Sequence, residues 1–141
     1  MDNSFYCGLL GKVVTCIDLS YNEDRRGYNH GINQFPFIIN YCKNEKDIQN
    51  AVIWAQKYNI AIRIRGGGHN YEGYSNGNYC LVIDLSLMKN IIISDKDNTV
   101  TIEGGVTNED LYNELGKKGY PFPGGTCPSV GVFGYSLGGG W

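Results

Sequence analysis

The sequence predicts an α/β (α+β) fold: an N-terminal β-α-β subdomain followed by the beginning of a second, mixed α/β subdomain. Three observations carry this expectation. Apolar runs of strand character flank one stretch of helical period. A polar four-residue turn, Asp95-Lys96-Asp97-Asn98, separates two further β-rich runs. Finally, 42% hydrophobic and 13% aromatic residues in a chain of 141 supply enough apolar surface for a real core and argue against disorder.

The elements follow in order. Residues 35–41 read as a buried strand. Asn44 offers a side-chain oxygen to the free N–H groups of a helix start, and Ile48, Ala51, Val52, Ala55 and Tyr58 then fall on one helical face, which is core. Ile60, Ile62 and Ile64 alternate as the next strand. That completes a β-α-β unit, and the residues just beyond a strand end are where α/β folds bind ligands. Residues 81–85 form another strand, and 91–94 with 99–103 form a hairpin. Thr107 and Asp110 resemble a capping box opening a helix through Leu111 and Leu115, ended near Gly119. A mild boundary falls at residues 86–90, dividing about 1–86 from about 87–141. There is no internal repeat or low-complexity segment, and the richness in Asn, Ile, Lys and Tyr is a bias of AT-rich coding with no mechanistic content.

A formal net charge of -2 without a basic run gives no support for nucleic-acid or anionic-membrane binding. No apolar run approaches the roughly 18 residues of a membrane span. The start, Met1-Asp2-Asn3-Ser4, lacks the basic region of a signal peptide, so a cytoplasmic location is expected. The cysteines at 7, 16, 42, 80 and 127 are odd in number and include no C-x-x-C; neither a disulfide framework nor a metal site is expected.

Glycine points to the functional region. Of the 20 glycines, five lie between positions 66 and 77 and eight between 119 and 140, so backbone freedom is concentrated in two segments. Without a Cβ the chain can turn through positive φ and press its N–H groups against a bulky anion such as a pyrophosphate. Each segment carries one side chain with nucleophilic chemistry: His69 in Arg65-Gly66-Gly67-Gly68-His69-Asn70-Tyr71-Glu72-Gly73, and Cys127 in Gly124-Gly125-Thr126-Cys127-Pro128-Ser129-Val130-Gly131. On spacing alone two readings stay open for both. His69 is an attachment point or a hydrogen-bonded loop residue; Cys127 is a reactive thiol or a buried, inert one. Glu72 reads as a loop carboxylate bonding backbone. Neither G-x-x-x-x-G-K-[ST] nor a G-x-G-x-x-G after a strand is present, so P-loop and Rossmann readings lack their fingerprint.

The two glycine stretches and the closing Leu137-Gly138-Gly139-Gly140 together resemble the berberine bridge enzyme-like FAD-linked oxidases, with a p-cresol methylhydroxylase (PCMH)-type, or vanillyl-alcohol oxidase-type, FAD domain. The likeness extends upstream through Tyr21, Arg25 or Arg26, Asn29, Pro36, residues 42–47, Ala51 and Ala55. One departure is Gly66, where the family more often has serine.

The resemblance implies a flavoprotein oxidase holding FAD through two covalent bonds, from a ring nitrogen of His69 to the flavin 8α carbon and from the sulfur of Cys127 to ring carbon C6. Arg65, Gly66, Gly67, Gly68, His69 and Asn70 would wrap the pyrophosphate. Thr126, Cys127, Ser129, Val130, Gly131, Gly134, Tyr135 and Gly138 would lie along the isoalloxazine and ribityl chain. The complete enzyme would oxidise a small-molecule substrate of alcohol or sugar type and pass the electrons to dioxygen. Family members continue for several hundred residues with a substrate domain, so no catalytic base is identifiable in this chain. The alternative expectation is a truncated, non-catalytic flavin-binding or interaction fragment, prone to self-association or needing a partner chain.

Overall fold

The computed structural model describes residues 6–139; Met1-Asp2-Asn3-Ser4, Gly140 of the closing glycine run and Trp141 lie outside the described residues. The order of elements is β1 (Lys12–Thr15), α1 (Tyr21–Asp24), β2 (Ile38–Tyr41), α2 (Glu45–Tyr58), β3 (Ile62–Arg65), β4 (Leu81–Asp84), β5 (Ile91–Ser94), β6 (Thr99–Ile102), α3 (Asn108–Lys117) and α4 (Val132–Gly138). The first four strands make one sheet in the order β1-β2-β4-β3. Within it β2, β4 and β3 run parallel, and β1 is antiparallel to β2. Strands β5 and β6 pair antiparallel as a separate hairpin. No helix among the described residues is long and apolar enough to cross a membrane.

The expected β-α-β unit is present as β2-α2-β3, with β4 inserted between its strands, so Leu81 pairs with both Ile38 and Ile62. A central parallel strand is covered on both faces and reads as an unbroken apolar run. Accordingly β4 is buried throughout. Helix α2 begins where Asn44 Oδ1 accepts the Asp47 N–H at 3.0 Å and ends at Asn59, whose φ of 53° is left-handed backbone that asparagine tolerates. Its face covers one side of the sheet: Ala51, Trp54 and Ala55 pack with Ile38, Leu81 and Ile83. On the other side Val14, Tyr21, Ile39, Cys80 and Val82 form a second cluster. The period-two alternation of strand side chains sends 38 and 39, and 81 and 82, to opposite faces. Each such buried aliphatic contributes about 1.5–3 kcal/mol.

A third cluster lies under the hairpin. Val106, Leu111, Leu115 and Val132 pack against Ile91, Ile93, Val100, Ile102 and Phe122. The capping box forms as expected, with Asp110 N–H donating to Thr107 Oγ1 and the Asp110 carboxylate accepting the Thr107 N–H. Gly119, at φ +75°, follows the helix end.

Several elements differ from the sequence expectation. The strand expected from residue 35 begins at Ile38: Pro36 has no N–H to place in a ladder, and Phe35 and Phe37 are exposed. Ile64 is exposed although it continues the alternation of Ile60 and Ile62. Strand β1 and helices α1 and α4 were not anticipated. Helix α4 spans Val-Phe-Gly-Tyr-Ser-Leu-Gly, and an interior glycine lowers helix stability by about 1 kcal/mol relative to alanine, which hides the helix from any propensity argument.

Candidate functional site

The site begins at the C-terminal ends of two neighbouring parallel strands. Arg65 closes β3 and Asp84 closes β4, and they pair across the sheet. Both side chains are buried, and Arg65 Nε donates to Asp84 Oδ2 at 2.5 Å. The other carboxylate oxygen accepts the Ser86 N–H at 2.9 Å. Arg65 therefore braces the following loop from beneath, its charge matched inside the protein by Asp84. Its Nη1 is buried with no hydrogen-bond partner.

Residues 66–68 then run where only backbone fits. A Cβ on Gly66 would stand 2.8 Å from Gly104 O, and one on Gly131 would stand 2.7 Å from Gly67 N. The two glycine segments thus touch backbone to backbone at Gly67 and Gly131. Gly68, at φ +72°, reverses the chain, and its carbonyl accepts the Tyr28 N–H at 3.0 Å. The N–H groups of residues 66–70 find no acceptor among the described residues. A run of unpaired backbone donors is what an anion-binding nest requires. The turn beyond is closed by Asn70, which accepts from the N–H groups of Gly73 and Tyr74; Glu72 is exposed and takes no part.

His69 stands at the rim of this nest. Tyr28 stacks on its ring, with centroids 4.2 Å apart and planes 20° apart. Ser129, from the second glycine segment, places Oγ 3.0 Å from His69 Nε2. Burial pushes the imidazole pKa below the ordinary histidine value of 6.5, because an apolar surround disfavours the charged form. The shift favours the neutral ring, the state in which a nitrogen lone pair is available.

An open groove of about 710 Å³ runs between this loop and α4. Of the residues singled out in the sequence, Gly66, Gly67, Gly68, His69, Asn70, Val130, Gly131, Gly134, Tyr135 and Gly138 line it. Ile64, Tyr28, Tyr71, Tyr74, Ser75 and Phe133 line it as well, and the sequence reading missed them. Ile64 carried a usable signal, an aliphatic at the last inward position of a strand before a ligand loop. Tyr28 carried none, being one of 11 tyrosines.

Thr126 and Cys127 sit outside the groove wall, on an exposed stretch. Cys127 is a free, exposed thiol, which removes the buried, inert reading. Its segment is hung from α3 by side chains: Asn108 Nδ2 donates to Cys127 O at 3.0 Å and the Tyr112 hydroxyl donates to Gly125 O at 2.6 Å. Main-chain bonds from Asn108 N to Val130 O and from Val132 N to Val106 O then stitch the segment onto residues 106–108.

This donor set fits a dinucleotide cofactor: a nest for two phosphates, a neutral imidazole, an accessible thiol and an elongated groove. The family described as FAD binding domain matches residues 36–141. The chain belongs to that family. It is 42% identical over 132 residues to the uncharacterised FAD-linked oxidoreductase YgaK of Bacillus subtilis, covering 94% of this chain and 29% of that protein. It is 38% identical over 110 residues to berberine bridge enzyme-like 18 of Arabidopsis thaliana, covering 75% and 21%. The structure superposes on Physcomitrella patens BBE-like 1 with a TM-score of 0.91 at 30% identity, covering 98% of this chain and 30% of that one. The fold is thus that of PCMH-type FAD-binding domains, and the homologues are berberine bridge enzyme-like FAD-linked oxidoreductases. The chain spans about 29% of the length of YgaK.

Proposed function

We propose that this chain is the cofactor-holding part of a FAD-dependent oxidase that attaches its flavin bicovalently, through His69 and Cys127, and acts on an alcohol or sugar-type substrate. The observation that carries the reading is the contact of the two glycine segments at Gly67 and Gly131. It brings a neutral imidazole and a nest of unpaired N–H groups to one groove, with an exposed thiol on the segment that supplies the other wall.

When bound, FAD supplies the hydride acceptor for a substrate C–H and returns the electrons to dioxygen as hydrogen peroxide. The residues of the chain bind and orient. The N–H groups of residues 66–70 receive the pyrophosphate, with Arg65 and Asp84 holding the loop in shape. His69 would supply the ring nitrogen for the bond to the 8α carbon. Cys127, already at the surface, would supply the sulfur for the bond to ring carbon C6. Gly131, Gly134 and Gly138 leave room for the flat ring system along α4. The catalytic base belongs to the rest of the complete protein, and a cytoplasmic setting is part of the proposal.

Intact-mass spectrometry under denaturing conditions, read with the visible spectrum, tests this. The expected result is a mass increase of FAD less two hydrogens for each bond formed, present in each of His69→Ala and Cys127→Ala and lost only in the double variant. A colourless, unmodified full-length protein overturns the reading.

A second reading, a non-catalytic flavin-binding or interaction piece, is favoured by apolar side chains left in solvent: Leu137 at 75% exposure, Ile92 at 57% and Phe133 at 44%. Self-association of the chain, or its capture by a partner chain, is the expected behaviour. A monomer that melts cooperatively and alone counts against it.

A further inference from the structure

Ser129 lies within hydrogen-bond distance of one nitrogen of His69 and of no other side chain among the described residues. The contact spans 60 positions of sequence and is produced by the crossing of the glycine segments. The opposite nitrogen, Nδ1, has no partner among the described residues and is not sealed from solvent. Tyr28 covers a face of the ring, and a flipped imidazole would lose the Ser129 contact at Nε2.

We propose that Ser129 is the positioning residue for flavin attachment: its Oγ accepts the Nε2–H of His69, which fixes the tautomer with the lone pair on Nδ1 and makes Nδ1 the nitrogen that bonds the flavin. This rests on the covalent reading above and adds to it the group that sets which ring nitrogen is free to react. A neutral imidazole has one donor and one acceptor nitrogen, and the partner of one decides the role of the other. A hydroxyl can accept from Nε2–H or donate to a bare Nε2. The first arrangement leaves the accessible nitrogen nucleophilic, whereas the second puts a proton on it.

The attachment step balances on this assignment. The Nδ1 lone pair forms the C–N bond to the flavin 8α carbon; a C–H bond there and the Nε2–H bond break; the two protons and two electrons released go to dioxygen, giving hydrogen peroxide. Ser129, exposed on its loop, is placed to take the Nε2 proton on its way to solvent.

Two measurements on the full-length protein test it. Histidine-nitrogen NMR of the flavin-free protein, with the His69 signal assigned by difference against H69Q, is expected to show the Nε2–H tautomer. Ser129→Ala is expected to give a mixture of tautomers, and Ser129→Thr to restore the single form. On adding FAD, acid-stable flavin on the His69 peptide should form about tenfold more slowly in Ser129→Ala, the effect of losing one hydrogen bond of ordinary strength, with part of the product on Nε2. Ser129→Thr should recover both rate and regiochemistry. An Nδ1–H tautomer in the wild type, or unchanged rate and attachment nitrogen in Ser129→Ala while the wild type carries flavin on His69, overturns the inference and leaves the covalent reading standing. Absence of flavin from His69 in the wild type overturns both.

Discussion

The two glycine segments are built by opposite means. Residues 65–73 follow a parallel strand, and their first side chain is locked at once into a buried ion pair with Asp84. Residues 119–131 follow a surface helix and are suspended by side chains reaching down to their carbonyls, from Asn108 and Tyr112. The first segment is held by the sheet, and the N–H groups of residues 66–70 are left without acceptors among the described residues. The second is held through its carbonyls, and so its one thiol is left exposed. One segment is a fixed loop with free backbone donors; the other is a suspended stretch with an exposed thiol.

The largest expected effect breaks the fixed segment. Asp84→Ala leaves the Arg65 guanidinium buried without its counter-charge, and the loss of one partner of a buried pair is worth about 3–5 kcal/mol. Urea unfolding should show that loss together with failure of flavin attachment at His69. A drop below about 1 kcal/mol would mean that water reaches the pair and that the sheet does not hold the loop.

Next comes the crossing. Gly131→Ala puts a methyl group 2.7 Å from Gly67 N, and overpacking of this kind costs about 1–3 kcal/mol. Because backbone must move, non-covalent FAD affinity should fall as well, measurable by fluorescence titration. Unchanged affinity would separate the nest from the crossing.

The suspended segment should fail more gently and in a different channel. Asn108→Ala removes the donor to Cys127 O, a loss of about 1–3 kcal/mol for a buried polar contact. The expected signature is a reduced share of Cys127-linked flavin in the peptide map while the His69 link persists. Equal loss of both links would erase the distinction between the segments.

The smallest effect is on pH. The folded pKa of His69 is depressed, with burial as the cause, so the unfolded chain binds the proton more readily. The contribution of His69 to stability is therefore fully present above its ordinary value of 6.5 and is lost as pH falls through the lower folded value. Urea midpoints for wild type and His69→Gln, taken from about pH 5 to 7.5, should converge toward the acid end. A wild-type midpoint that rises as pH falls would reverse the sign and place a counter-charge beside the ring.

Much of the fold was legible because local chemistry and tertiary need agreed. The Asn44 cap, the stripe Ala51, Val52 and Ala55, the four-residue hairpin turn and the Thr107 capping box are each short-range signals that the structure realises with the expected bonds. Helix α4 was not legible, since its three neighbouring glycines argue against a helix and only the packing of Val132 and the bond from Val132 N to Val106 O place it. Strand β1 was overlooked although Val13-Val14-Thr15 is a fair β-branched run. Within the site, the structure brings His69, Gly66, Gly67, Gly68, Gly131, Gly134 and Gly138 to one groove, together with Ile64, Phe133 and Tyr28, which were not anticipated as site residues.

By itself the sequence determined β2, α2, β3, β4, the hairpin and α3, the two glycine-rich segments and the histidine and cysteine they carry, because capping, periodicity and glycine content act over a few residues. Tertiary structure alone decided that Arg65 is spent on Asp84, that Gly67 meets Gly131, and that Ser129 and Tyr28 close on His69. Those contacts join residues 19 to 64 positions apart. They exist because the parallel sheet brings strand ends together and because two backbones without Cβ atoms can touch, conditions that no local stretch of chain can state.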